Sequence, residues 1–64
     1  MKWIDVLDIA IALSEKHSDI DPKTIRFVDL HNLVIELDDF DDDHHRGGEK
    51  VLEAIQAAWI DEVE

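Results

Sequence analysis

Apolar side chains recur at helical spacing in three blocks of the chain, which are separated by two polar connectors. The first block covers residues 3–17 without an internal glycine or proline, and its main apolar stripe consists of Trp3, Val6, Ile9, Ala10 and Leu13. Positions three to four residues apart lie on one face of a helix, so this block predicts an amphipathic helix. Ile4, Leu7 and Ile11 lie outside the stripe, which indicates either a wide buried arc or a face that contacts a partner.

The second and third blocks carry the same helical period. In residues 28–37 the apolar positions follow i, i+3, i+4 and i+7, and they are Leu30, Leu33, Val34 and Leu37. The β-branched pair Val34–Ile35 leaves a strand open as the alternative for this block. In residues 49–63 the apolar stripe consists of Leu52, Ile55, Trp59 and Val63. The pattern therefore predicts a single, mainly α-helical domain over residues 1–64, with three main helices.

The first connector contains the dipeptide Asp21–Pro22, which is typical of a helix start with an aspartate N-cap and a proline at the first helical position. We expect one short helical turn over Pro22–Arg26, followed by the second helix. Arg26 is expected to pair with a carboxylate and so to fix this turn. Phe27 and Phe40 bracket the second block, and we expect them to close its two ends against the core.

The second connector, residues 36–48, contains the most acidic stretch of the chain. Six of eight consecutive positions carry carboxylates, namely Glu36, Asp38, Asp39, Asp41, Asp42 and Asp43. A flexible turn, 44–48, follows, so we expect a loose acidic segment. Such a run is usually a solvated loop, and the alternative is a weak cation site formed by Asp39, Asp41, Asp42, Asp43, His44 and His45. Carboxylate and imidazole ligands together suit Fe(II) or Zn(II) better than Ca(II).

The composition narrows the classes of partner. The chain has 64 residues with 6 basic and 17 acidic side chains, which give a net charge of −11, and 45% of its residues are hydrophobic. That apolar fraction, concentrated in periodic blocks, supports a folded domain. The charge disfavours nucleic acid and anionic membranes and favours cations or a basic patch on another protein. No cysteine is present, which excludes disulfides and thiolate metal sites and fits a cytoplasmic protein.

Catalysis and a tightly bound cofactor are not expected. The hydroxyl groups of Ser14, Ser18 and Thr24 stand in no recognisable arrangement with a general base. An EF-hand counted from Asp39 is excluded, because His44 replaces the required glycine at its sixth position and Lys50 the required glutamate at its twelfth. The sequence therefore indicates a monomeric binding protein rather than an enzyme.

Several strings in fixed order carry a resemblance to a known family. They are Asp21–His31 (DPKTIRFVDLH), Asp39–Asp43 (DFDDD), Glu49–Ile55 (EKVLEAI) and Trp59–Glu62 (WIDE). Together they resemble the IscX family of small acidic accessory proteins in bacterial iron–sulfur cluster assembly. The resemblance implies a winged-helix-like fold, binding to the cysteine desulfurase IscS, weak ferrous iron binding by surface carboxylates, and competition with bacterial frataxin at the same desulfurase surface.

The resemblance assigns roles to individual residues unevenly. The acidic face expected to bind the partner consists of Asp29, Glu36, Asp38, Asp39, Asp41, Asp42 and Asp43. The residues expected to be structural are Trp3, Asp21, Pro22, Arg26, Phe27, Phe40 and Trp59. The chain departs from the family at residues 44–48, where a proline and a Ser-Asn pair are usual, and at Leu33, where a tryptophan is common. An iron donor in its own right, a helix-turn-helix nucleic-acid binder and an acidic DNA mimic are the alternative functions.

Overall fold

Three α-helices follow one another along the chain in a computed structural model that describes all 64 residues. They are α1 (Val6–Lys16), α2 (Phe27–Ile35) and α3 (Glu49–Val63), and a short 3₁₀ turn at His44–Arg46 precedes α3. The structure has no β-strand, so Val34–Ile35 is helical and the mainly α prediction is confirmed. Because the structure has no strand, the β-hairpin that forms the wing of a winged-helix fold is absent. No helix has the length and apolar character needed to cross a membrane.

The core lies between the three helices, with α1 packed mainly against α3 and α2 closing the remaining side. Each helix contributes large side chains that are fully buried: Ile9 and Leu13 from α1, Leu30 and Val34 from α2, and Ile55 and Trp59 from α3. Both tryptophans are buried, as the sequence predicts. Val63, the last position of the predicted third stripe, is instead half exposed at the end of α3.

The first helix begins three residues later than its apolar pattern predicts. Residues 2–5 form a turn in which the Asp5 amide donates to the Lys2 carbonyl at 2.9 Å and the Lys2 amide to Asp5 Oδ2 at 2.8 Å. Trp3 is therefore buried from a turn and not from the face of α1. The physical reason is a set of contacts between residues 1–3 and the acidic segment, which hold the start of the chain away from the helix axis.

The predicted helical turn after Asp21 is a single hydrogen-bonded turn that does not continue as a helix. Asp21 Oδ1 accepts the Lys23 amide at 2.9 Å, and the Thr24 amide donates to the Asp21 carbonyl at 3.3 Å. Pro22 is buried, and its carbonyl accepts Gln56 Nε2 of α3 at 2.9 Å. Gln56 therefore connects this turn to the rest of the domain, a role that the sequence did not indicate.

Arg26 pairs with a carboxylate as predicted, but it does not fix the inter-helix turn. Arg26 Nε lies 3.2 Å from Asp29 Oδ2, three residues along the same chain segment, and the Arg26 side chain is 79% exposed. An exposed pair between the N-cap and the first turn of the same helix contributes little to stability and joins no separate elements. Phe27 and Phe40, in contrast, both pack against the core as expected.

Candidate functional site

The acidic segment, which we call the acidic loop (residues 36–43), is held in place and is not loose as the sequence suggested. The amino group of Met1 donates to the Asp39 carbonyl and lies 3.0 Å from Asp41 Oδ1. The Asp41 amide donates to the Met1 carbonyl at 3.0 Å, and Lys2 Nζ donates to the Asp41 carbonyl at 2.8 Å. We call these contacts between residues 1–3 and 39–43 the N-terminal clasp.

Trp3 is the residue that joins the acidic loop to the core. Its amide donates to Asp42 Oδ2 at 3.1 Å, and its indole Nε1 donates to the Asp43 carbonyl at 2.7 Å. The indole ring is 3% exposed and meets the Phe40 ring edge-on, with 4.8 Å between the ring centroids. Such an arrangement of rings is favourable beyond the apolar area that it buries. Phe40 therefore covers Trp3 as well as closing the end of α2.

Gly47 and His31 complete the packing around Trp3. A Cβ at Gly47 would lie 2.6 Å from two carbons of the Trp3 ring and 2.8 Å from the His31 ring, so only glycine fits this approach without displacement. His31 Nε2 donates to the His44 carbonyl at 2.7 Å, and the His31 ring lies 5.3 Å from the Trp3 ring. His31 is thus half-buried and hydrogen-bonded. The sequence marked Gly47 only as part of a flexible turn, and its neighbour Gly48 has no such constraint.

Three carboxylates predicted to belong to the site, Asp41, Asp42 and Asp43, accept hydrogen bonds from other groups of the same chain. The Met1 amino group, then Lys2, hold the pKa of Asp41 below its ordinary value by hydrogen bonding and charge. Hydrogen bonds from the Trp3 amide and, to a smaller extent, from the Asp43 amide likewise lower the pKa of Asp42. Asp43 caps the 3₁₀ turn by accepting the His45 amide at 2.9 Å on Oδ1. These three carboxylates therefore hold the loop in its observed conformation.

The remaining predicted carboxylates divide by whether they have a partner. Glu36, Asp38 and Asp39 are exposed, and their side chains take part in no ion pair. Asp29 is paired with Arg26. Asp29 also lies seven residues before Glu36, a spacing of about two helical turns that places Asp29 and Glu36 on the same face of α2. The free negative charge of the loop is therefore concentrated at Glu36, Asp38 and Asp39.

Asp38 and Asp39 border a shallow cleft against α1. The cleft is lined by these two residues together with Met1, Ala12, Glu15, Lys16 and Leu37. Glu15 is exposed and takes part in no ion pair, so it adds a third free carboxylate to this surface. The sequence alone did not connect Glu15 with the acidic loop, because the two are more than twenty residues apart.

The predicted metal ligands do not come together. No three histidine, aspartate or glutamate side chains converge on a position where they could hold a metal ion. His44 and His45 lie exposed in the 3₁₀ turn, while Asp41, Asp42 and Asp43 face hydrogen-bond donors of the chain. Metal binding by this set of residues stays a prediction, and the surface could offer an ion only a few separate carboxylates.

Comparisons with known proteins cover the chain from end to end. The model of a family described as iron–sulphur cluster assembly matches residues 1–64. The chain is also similar to a protein of Pseudomonas aeruginosa named "Uncharacterized protein PA3808", with 60% identity over 62 residues, which is 97% of this chain and 94% of that protein. The family model therefore covers the three helices, the acidic loop and the N-terminal clasp.

Proposed function

The chain belongs to the IscX family of iron–sulfur cluster assembly proteins, and on this premise we propose that it is an adaptor for the cysteine desulfurase IscS. In this proposal the adaptor acts in the cytoplasm as a monomer without catalytic activity of its own. It docks its acidic loop on a basic patch of the desulfurase and so modulates the supply of sulfur or iron to the growing cluster.

The observation that carries the proposal is the concentration of unpaired carboxylates on a loop of fixed shape. Glu36, Asp38 and Asp39 are exposed and unpaired, and Glu15 extends the same surface across the cleft. A complementary basic patch would attract this surface and raise the rate of association. The N-terminal clasp orders the loop in advance, so less conformational entropy is lost when it binds.

The clasp also determines which residues test the proposal cleanly. Reversing the charge of Asp41, Asp42 or Asp43 would release the loop from the chain and would confuse docking with folding. Asp38→Lys with Asp39→Lys changes only exposed, unpaired side chains, because Asp39 takes part in the clasp through its backbone carbonyl. The matched control is Glu53→Lys with Asp61→Lys, two exposed positions on α3. Each double variant changes the net charge by +4, from −11 to −7.

The experiment is a titration of purified desulfurase with each chain at about 0.1 M and about 1 M salt, where the Debye length is ~10 Å and ~3 Å. We expect the loop variant to bind at least about tenfold more weakly at low salt, while the control loses less than about threefold. High salt should weaken the wild type and reduce the difference between the variants. Equal losses for the two variants, or binding that does not depend on salt, would refute the proposal.

The family resemblance also supports a shared surface with bacterial frataxin. If both proteins occupy the same basic patch, increasing concentrations of frataxin should raise the apparent Kd of this chain for the desulfurase in proportion. Formation of a ternary complex with an unchanged Kd would place the two proteins on separate surfaces. The initial rate of cluster formation, measured in the same mixtures, shows whether this chain accelerates or slows cluster assembly.

Weak ferrous iron binding is a second proposal, supported by the free carboxylates that line the cleft. Fe(II) can bind carboxylate oxygens, and Asp38, Asp39 and Glu15 are available. Anaerobic addition of Fe(II) should perturb the NMR signals of these three residues, and Asp38→Asn with Asp39→Asn should remove the effect. Perturbation confined to His44 and His45 would assign the ion to the histidine pair instead. A Kd weaker than millimolar would make the alternative of an iron donor untenable.

A further inference from the structure

An exposed apolar ridge runs along α1 on the side away from the core. It consists of Ile4 (86% exposed), Leu7 (59%) and Ile11 (36%). Leu7 and Ile11 are one helical turn apart, and Ile4 precedes Leu7 by three residues in the turn before α1. Single exposed apolar residues are common, but three occur here within residues 4–11, whereas α2 and α3 each expose only one large apolar side chain, Val28 and Val63.

The ridge is bordered by free negative charge. Asp8 follows Leu7 directly, and Glu15 lies one turn after Ile11; both are exposed and take part in no ion pair. Glu15 also lines the cleft that contains Asp38 and Asp39. Glu15 therefore lies one helical turn from the ridge and also lines the cleft that Asp38 and Asp39 border.

We propose that the ridge of Ile4, Leu7 and Ile11 inserts into an apolar groove edged by lysine or arginine side chains, on the same protein that receives the acidic loop. The inference rests on the proposed docking to the desulfurase and adds a second, apolar contact to it. Leu7 and Ile11, at i and i+4 of α1, have the spacing by which a helix is recognised in a hydrophobic groove, and Ile4 adds an apolar side chain from the turn before α1. Basic residues at the edge of the groove would pair with Asp8 and Glu15.

A second copy of the chain fits this ridge poorly. The chain has an apolar groove of its own, lined by Ile20, Ile25 and Leu33, but the polar residues that line it are Asp29 and Asn32. Self-association would bring together two molecules that each carry a charge of −11. An anionic membrane surface is disfavoured by the same charge. Charge complementarity therefore selects a groove with a basic edge.

The test uses exchanges that leave the net charge unchanged. Ile4→Thr with Leu7→Gln removes the two most exposed anchors. Val28→Gln is the matched control, since Val28 is 61% exposed and Leu7 is 59% exposed. Purified desulfurase is titrated with each chain at about 0.1 M and about 1 M salt, and circular dichroism verifies the fold. We expect the ridge variant to bind about tenfold more weakly at both salt concentrations, equivalent to about 1.4 kcal/mol, and the control to bind like the wild type.

The possible results separate this inference from the proposed function. If the wild type does not bind the desulfurase at either salt concentration, both are overturned. If Asp38→Lys with Asp39→Lys weakens binding while the ridge variant binds like the wild type, only the ridge inference is overturned. A wild-type dimer in sedimentation equilibrium that the ridge variant abolishes would assign the ridge to a second copy. Co-sedimentation of the wild type, but not the ridge variant, with phosphatidylcholine–phosphatidylglycerol vesicles would assign it to a membrane.

Discussion

Replacing Gly47 with alanine tests whether the close approach of the loop to Trp3 controls the stability of the domain. The added Cβ would lie 2.6 Å from Cη2 and Cζ2 of Trp3 and 2.8 Å from Cδ2 of His31. Gly47 has a φ of −78°, a value that alanine adopts readily. The substitution therefore tests the side-chain contact and not the conformation of the backbone.

The size of the effect follows from how little Trp3 can move. Carbon atoms in contact are ordinarily about 3.5–4.0 Å apart, so the ring must shift by about 1 Å. Phe40 contacts the ring, and the hydrogen bond to the Asp43 carbonyl anchors its Nε1. Overpacking of this kind costs about 1–3 kcal/mol. Alanine recovers about 0.4–1 kcal/mol by restricting the unfolded chain, and values near the middle of the two ranges leave a net loss of about 1–2 kcal/mol.

The assay is urea denaturation followed by circular dichroism and tryptophan fluorescence, together with a thermal melt. At about 2.1 cal/mol/K of unfolding entropy per residue, the expected loss corresponds to a fall in Tm of about 7–15 °C. Gly48→Ala is the matched control, because no atom lies within 4 Å of its added Cβ. The weaker N-cap and the restricted unfolded chain nearly cancel there, so we expect a change below about 0.5 kcal/mol.

Equal stabilities of the two alanine variants would refute the reasoning. A second test uses Trp3→Phe, because phenylalanine lacks the ring atoms that the new methyl group would meet. In that background Gly47→Ala should cost much less, and the coupling between the two positions gives the energy of the contact. An undiminished cost in the Trp3→Phe background would show that the methyl group acts elsewhere.

Two further predictions concern the clasp and the tryptophans. Because folding lowers the pKa of Asp41 and Asp42, their contribution to stability is complete above an unfolded pKa of about 3.9 and is lost as the pH falls through the lower folded values. Asp41→Asn with Asp42→Asn should therefore reduce the dependence of Tm on pH below about pH 4, and an unchanged slope would contradict this. Trp59→Phe should destabilise the domain less than Trp3→Phe in urea denaturation, because buried Trp59 Nε1 has no hydrogen-bond partner whereas Trp3 Nε1 donates to Asp43. The reverse order would be inconsistent with these assignments.

The helices could be predicted from sequence because their pattern is local. The spacing of Ile9 and Leu13 in α1, and of Ile55 and Trp59 in α3, reports a buried face directly, and all four side chains are fully buried. The identity of the family could also be inferred from motifs in fixed order. Helix limits were less accurate, since the start of α1 depends on where Trp3 is held by distant residues.

Which carboxylates of the acidic loop bind the chain and which remain free could not be predicted from sequence. Asp38 and Asp42 are the same side chain in the same run, yet only Asp42 meets backbone amides, one of them from Trp3 at the start of the chain. Hydrogen bonds to backbone groups about forty residues away leave no periodic signal in the sequence of apolar and polar side chains. Gly47 is similar, because a Gly-Gly pair indicates a turn but not the ring that one of its members must approach.

Trp3 gives the acidic loop a thermodynamic connection to the helices that a surface segment ordinarily lacks. Its ring belongs to the core, while its amide and indole N–H groups hold Asp42 and Asp43. Opening the acidic loop therefore disrupts the packing of Trp3 in the core. We expect the protected amide hydrogens of the loop and of the helices to exchange with solvent as one cooperative unit. By linkage, a partner that binds the closed loop stabilises the whole domain. A core substitution should accordingly weaken partner binding once it leaves an appreciable fraction of the domain open, although it does not touch the surface that the partner contacts.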